Sequence, residues 1–210
     1  LLDALLKGVH GAPYRETDAR LLRPLLAEPL QFEDAATLYH RNSRPGRLRV
    51  SARDLARFGL LYRHHGRWQN RQVVPSKSAK LVTSSPLPPD TPRSPGQPAP
   101  MLPRQRTVGD CFNAGEPLGS FSYFWWLNGQ AADGSRLLPD APADTFVAAG
   151  HGGRTALVVI PSRDLVATWI SGLPGMTARH YNMGGSVVVN LAIKHLLTAA
   201  PDADEPGEHH

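Results

Sequence analysis

The stretch Phe146–Gly172, FVAAGHGGRTALVVIPSRDLVATWISG, constrains the fold of this chain more than any other. A His-Gly-Gly triplet opens onto two apolar runs, Ala156–Ile160 (ALVVI) and Leu165–Ile170 (LVATWI). Pro161-Ser162-Arg163-Asp164 separates them. β-Branched runs bounded by a cluster of turn residues predict an antiparallel hairpin. Glycine beside a strand start lets another group approach the backbone closely. The triplet is therefore either a plain bend or a place where a ligand meets backbone N–H groups.

Upstream, the clearest helix signal runs from Ser51 to His65. Ser51 suits the N-cap, with Asp54 three residues on as in a capping box. Leu55, Phe58 and Tyr62 share one stripe, and Gly66 suits the C-terminal cap. Leu1–Lys7 and Asp18–Leu26 are predicted helical, the second interrupted at Pro24. Phe32–Arg49 reads as loop, Gln72–Val74 as a short strand or turn, and Pro75–Leu81 as another helix start. Ser84–Arg106 carries eight prolines. With its flank, 84–108, it is expected to be a mobile insertion beside the mouth of a site. Phe121–Leu127 predicts an aromatic-rich strand, with Trp125 and Trp126 on opposite faces. One of the two is expected in the core, the other covering a neighbouring element or facing a cleft. Asp133-Gly134 marks a turn. Gly184-Gly185-Ser186 precedes a last helix with Val189, Ala192, Ile193 and Leu196 as its apolar stripe. Residues 201–210 read as a disordered tail.

Composition narrows the function. A length of 210 residues fits one globular domain. No apolar stretch reaches the length of a membrane span. LLDALLKGVHG has Asp3 early and no small-residue cleavage site, so a secretory signal would have to precede Leu1. One cysteine, Cys111, excludes an internal disulfide and is read as an inert thiol. The formal net charge is +5, with nine arginines against the single acid Asp54 between Arg41 and Arg71. An anionic partner would explain that stretch, and so would a solvated helix face. No zinc-finger spacing, stacking motif or helix-turn-helix accompanies the arginines, so no nucleic-acid partner is expected. The nine histidines lack ligand spacing with acids or cysteine, so no metal is expected. No phosphate-cradling glycine motif is present, and no cofactor is expected.

Four stretches, in order, resemble the serine β-lactamase and penicillin-binding-protein family, in its class C and esterase-like branch. Pro29–Asp34 (PLQFED) is similar to the family's PLGM-x-D segment, with Gln31 where glycine is usual. Gly46–Gly59 (GRLRVSARDLARFG) is similar to GGL-x-S-x-x-DLARFG. Ser122–Leu127 (SYFWWL) is similar to the YGYGWW strand, with Phe124 in place of a glycine. The His-Gly-Gly triplet is similar to the box that is commonly Lys-Thr-Gly, and His-Thr-Gly or His-Gly-Gly in esterase-like members. The resemblance covers roughly residues 1–198.

The resemblance implies an α/β (α+β type) fold: an antiparallel sheet with flanking helices, here incomplete at the N-terminus. It implies acyl transfer through a serine ester, acting on a small-molecule ester, amide or peptide-like substrate. It places His151, Gly152 and Gly153 at the catalytic site and makes the backbone N–H of Arg154 an oxyanion donor. A histidine at 151 would replace the box's fixed lysine charge with one that changes near neutral pH. The family's nucleophilic Ser-x-x-Lys does not occur here, since Ser76 and Lys80 are four apart. Tyr39 and Asn42 do not form its Tyr-x-Asn. Both boxes precede the PLGM segment in the family. Residues 1–200 are thus expected to be the C-terminal part of a longer hydrolase, inactive alone, with an exposed sheet edge through which it associates. A non-catalytic scaffold binding a peptide-like or anionic ligand is the other reading.

Overall fold

The computed structural model describes residues 14–38, 48–84, 121–130, 133–150, 152–177 and 185–199. The Leu1–Lys7 helix, the 84–108 segment beyond Ser84, Cys111, His151 and the 201–210 tail lie outside these. The architecture is mixed α/β. Five antiparallel strands run in the order β3-β4-β5-β6-β7. They are β3 (Phe121–Ser122), β4 (Trp125–Leu127), β5 (Phe146–Gly150), β6 (Thr155–Ile160) and β7 (Leu165–Trp169). A separate two-stranded ribbon pairs β1 (Arg67–Trp68) with β2 (Arg71–Gln72). The helices among the described residues are α1 (Asp18–Ala27), α2 (Ala52–Arg63), α3 (Ser76–Val82) and α4 (Gly185–Ala199).

The central hairpin forms as its sequence predicts. β6 and β7 pair from Ala156↔Trp169 to Ile160↔Leu165. A 3-10 turn at Pro161–Arg163 joins them and ends on Asp164 in the left-handed region (φ 47°). The residues of β6 from Ala156 onward are buried, because helices cover both sheet faces. On one side, Val189, Ala192 and Ile193 of α4 pack with Val147, Val158, Ile160 and Trp169. On the other, Leu55, Phe58 and Tyr62 of α2 pack with Trp125, Leu127, Phe146, Leu157 and Val159. Both faces of the central hairpin are thus covered by helices. β3 and β7 are the two edge strands of the sheet.

Helix α2 sets this geometry, and each residue of its DLARFG stretch but Ala56 has a visible task. Ser51 caps the helix, its hydroxyl accepting from the Asp54 N–H at 3.1 Å. The reciprocal half of a capping box does not form. The Asp54 carboxylate instead turns away from its own helix and accepts from the Glu33 and Asp34 N–H groups, both at 2.9 Å. It is 0% exposed. Arg57 donates to Asp54 at 3.1 Å, and also to the Gln31 carbonyl and to Glu33. Leu55 and Phe58 face the sheet. Gly59 allows close approach: a Cβ there would lie 2.6 Å from both Leu157 Cδ1 and Val166 Cγ1. Glycine weakens a helix interior by about 1 kcal/mol, so its presence here is explained by that contact. Thr168 donates to the Ala52 carbonyl at 2.9 Å, and Arg63 pairs with Asp164 at 2.8 Å. These two contacts lay α2 antiparallel along β7.

Several expectations need correction. The helix at Asp18 is not broken by Pro24 but continues to Ala27 in the wider π winding. The left-handed C-terminal stretch of α2 begins one residue early, on His65 (φ 52°), and includes Gly66 (φ 84°). The Gly66 N–H reaches the Leu61 carbonyl at 2.7 Å and the His65 N–H reaches Tyr62 at 3.0 Å, a Schellman pair. Gly66 is still required, since a Cβ there would sit 2.2 Å from the Val74 carbonyl oxygen. In α4, Val188 joins the buried stripe and Leu197, rather than Leu196, packs on the core.

The pairing of Glu33 with Arg53 and Arg57 is solvent-exposed and pH-dependent. Hydrogen bonds from Arg53, then Arg57, hold the Glu33 carboxyl below its ordinary range, and Glu33 raises Arg53 in return. A depressed folded-state carboxyl stabilises the fold above its unfolded pKa and loses that contribution as pH falls through the folded value. Denaturant midpoints of wild type and Glu33→Gln should therefore differ at pH 7 and converge as pH drops below about 4. A gap that does not narrow as pH falls through this range would mean that the charge pair is not its source.

Candidate active site

The His-Gly-Gly box lies in the connection between β5 and β6. Gly150↔Thr155 is the last pair of that ladder. His151 lies outside the described residues. Gly152 (φ 65°) and Gly153 (φ 81°) both adopt the left-handed region, where a side chain costs about 1–2 kcal/mol. The Gly153 N–H donates to the Gly150 carbonyl at 3.1 Å, closing a turn over 150–153. Gly153 is buried and Gly152 is exposed.

The glycines also let the last helix come close. A Cβ on Gly153 would lie 3.0 Å from Val188 Cβ and 3.2 Å from the Gly185 carbonyl oxygen. A Cβ on Gly185 would lie 3.4 Å from the Gly152 carbonyl carbon. The start of α4 is thus seated directly on the turn. Beneath it, Trp169 Nε1 donates to the Gly153 carbonyl at 2.7 Å inside the core. That bond fixes the turn to the end of β7. The Gly172 N–H donates to the Arg154 carbonyl at 2.7 Å, continuing the β6–β7 pairing past the ladder. The Arg154 side chain is exposed. The two glycines thus allow helix α4 to approach the turn closely.

Sequence reasoning missed the second feature at this end of the sheet. Phe121–Leu127 is not one strand but a hairpin, because Tyr123 (φ 46°) and Phe124 (φ 72°) both turn left-handed. That is the conformation of a two-residue turn usually filled by Asn-Gly. No turn residue announces it, and only Phe124 standing where the resembling family has glycine gives a signal. Trp125 is buried against Phe58, Tyr62 and Phe146, with ring centroids 6.2, 5.2 and 5.0 Å away. Trp126 lies on the opposite face, 4.6 Å from the Phe121 ring. The core and cover roles expected of the two tryptophans are the ones observed.

Asn128 anchors the approach to β5. Its buried amide donates to the Leu138, Ala141 and Pro142 carbonyls at 2.9–3.0 Å and its Oδ1 accepts from the Leu138 N–H at 2.9 Å. Asp144 accepts from the Ser162 N–H and hydroxyl at 2.6 and 2.8 Å. Asp140 and Asn190 exchange two hydrogen bonds that hold α4 against the same loop. The chain into the turn is thereby fixed at both ends. Among the described residues, no group of three or more His, Cys, Asp or Glu side chains could hold a metal ion, and no helix is long and apolar enough to cross a membrane.

No family model matches the sequence, and no curated protein matches it. A comparison with solved structures finds a protein described as a "putative beta-lactamase" from Bacteroides dorei DSM 17855, at 16% identity and a TM-score of 0.49. The match covers 82% of this chain and 49% of the other, so the chain spans about half the length of that structure.

The seating of α4 on the turn gives a direct test. Gly153→Ala should lose roughly 2 kcal/mol of stability or more, from the left-handed φ and the Val188 contact together. Chemical denaturation with tryptophan fluorescence measures it. A neutral substitution would show that the turn does not hold this conformation.

Proposed function

We propose that this chain is the C-terminal part of a β-lactamase-related serine hydrolase whose Ser-x-x-Lys and Tyr-x-Asn lie outside it. The observation that carries the reading concerns two departures from the family's sequence pattern. Gln31 and Phe124 stand where that pattern has glycine. The backbone is left-handed at both, with φ 54° and 72°. Glycine is favoured where φ is positive, so the conformation at these two positions is the one a glycine in the family's pattern would serve. The order of the remaining pieces supports the same reading. The PLQFED turn is bound to the DLARFG helix through Asp54, that helix lies on the sheet, and the sheet ends in the Gly-Gly turn.

In this reading the upstream serine attacks the carbonyl of an ester, amide or peptide-like substrate, the alcohol or amine leaves with a proton as the acyl-serine ester forms, and water then hydrolyses that ester. The Arg154 N–H stabilises the oxyanion, and His151 donates to the tyrosine oxygen or to a substrate carboxylate. Gly152 and Gly153 leave room for the acyl group along the strand edge. Of the two edge strands, β7 receives the segment that carries the nucleophile.

The coding sequence upstream of Leu1 tests this first. The proposal expects a Ser-x-x-Lys followed by a Tyr-x-Asn. It also expects the 210-residue chain alone to leave 4-nitrophenyl acetate unhydrolysed above background. A natural start near Leu1 would point instead to a non-catalytic scaffold. Hydrolysis by the chain alone, abolished by a serine substitution within it, would overturn the assignment of the nucleophile.

A further inference from the structure

Three aromatic rings stand in a row at the β3 edge of the sheet. Phe121 lies 4.6 Å from the half-buried Trp126 and 6.3 Å from Phe124. The Phe121 and Phe124 rings are nearly perpendicular, at 82°. Phe124 is 86% exposed, more than any other large apolar side chain among the described residues. Its backbone is left-handed (φ 72°), a conformation that bulky residues rarely adopt. Burial of this ring among the described residues does not offset that strain, and such an outlier is a reason to look for a partner.

The sequence just upstream holds a partner of matching chemistry. Between Ser84 and Phe121, prolines stand at 86, 89, 92, 95 and 98, a constant interval of three. A polyproline II helix has three residues per turn, so prolines at that interval share one edge and recur about every 9 Å. The row of rings spans at most about 11 Å, which seats two neighbouring prolines of such an edge. Proline edges dock on aromatic-lined surfaces, and the fixed proline φ keeps the ordering cost low.

Both ends of that segment are fixed beside β4. Val82, two residues before Ser84, packs on the cluster that contains Trp125. At the other end Phe121 pairs with Trp126. The chain thus leaves on the α2 side of the sheet and returns into the edge strand β3. Residues 99–120 join the last of these prolines to Phe121, a contour of about 70 Å. That length lets the proline edge fold back onto the rings, and tethering gives it an effective concentration of about a millimolar.

We propose that Phe121, Phe124 and Trp126 form a docking surface for this chain's own proline edge, Pro86–Pro98. The inference is independent of the hydrolase reading. It gives the strained Phe124 a partner and the proline interval a use.

The test places the photo-reactive aromatic p-benzoylphenylalanine at position 124 of the full gene product. Light and heavy-isotope copies are mixed in equal amounts, irradiated, and mapped by mass spectrometry. The expected adduct joins position 124 to residues 86–98 within one copy. Replacing Pro86, Pro89, Pro92, Pro95 and Pro98 together by alanine should lose it. Replacing Pro88, Pro100 and Pro103, which lie off the interval, should leave it in place. Adducts between light and heavy copies would assign the surface to a second copy and overturn the proposal. So would the absence of any adduct on 86–98, or equal yields from the two alanine variants.

Discussion

The fold depends on a carboxylate that leaves its own helix. Asp54 stands in the first turn of α2, where a capping box would direct it back to Ser51. It accepts instead from two backbone N–H groups twenty and twenty-one residues earlier in the chain. Hydrogen bonds to a charged group each contribute about 1.5–3 kcal/mol, and a buried acceptor without them would be costly. The turn Pro29–Asp34 is thereby locked to the helix. Arg57 closes the same junction from the next turn, on the Gln31 carbonyl and on Glu33. Gln31 in turn accepts from Trp68 and Gln69, which draws the β1–β2 ribbon onto the assembly. With one end fixed in this way, Gly59 lets the helix sink onto Leu157 and Val166. The position of the central hairpin, and so of the turn at its far end, follows from that joint.

The parts legible in the sequence are those set by local patterns. Ser51 marked the helix start, Pro161–Asp164 the hairpin turn, and the apolar runs the two central strands. The parts that were not legible are set by contacts distant in sequence. Asp54 looks like a capping residue because its true partners are at 33 and 34. The turn at Tyr123-Phe124 looks like strand because both residues are β-prone, and tertiary packing of Trp125 and Trp126 overrides that preference. His65 shares the left-handed cap with Gly66, which also lies against the Val74 carbonyl. The role of Trp169 as donor to Gly153 has no sequence signal at all.

At the candidate site, what was legible in the sequence is the turn itself. A Gly-Gly pair at a strand end signals close approach, and the structure shows one partner in the start of α4. The same packing gives the turn rigidity. Trp169 holds it from below, α4 from the side, and Gly172 continues the ladder through the Arg154 carbonyl. An oxyanion donor must be held in place before charge develops, and a turn held on three sides suits that requirement. In the proposed reading the nucleophile lies upstream of this chain. Ser76 and Lys80 on α3 have the wrong spacing, and α3 packs through Val82 on the face opposite α4.

Covalent labelling of the full gene product with a fluorophosphonate, followed by peptide mapping, tests the central claim most directly. The account predicts one adduct, on a serine upstream of Leu1 followed three residues later by lysine, with none on residues 1–210. An adduct on a serine within residues 1–210, or none in a protein that hydrolyses esters, would contradict it.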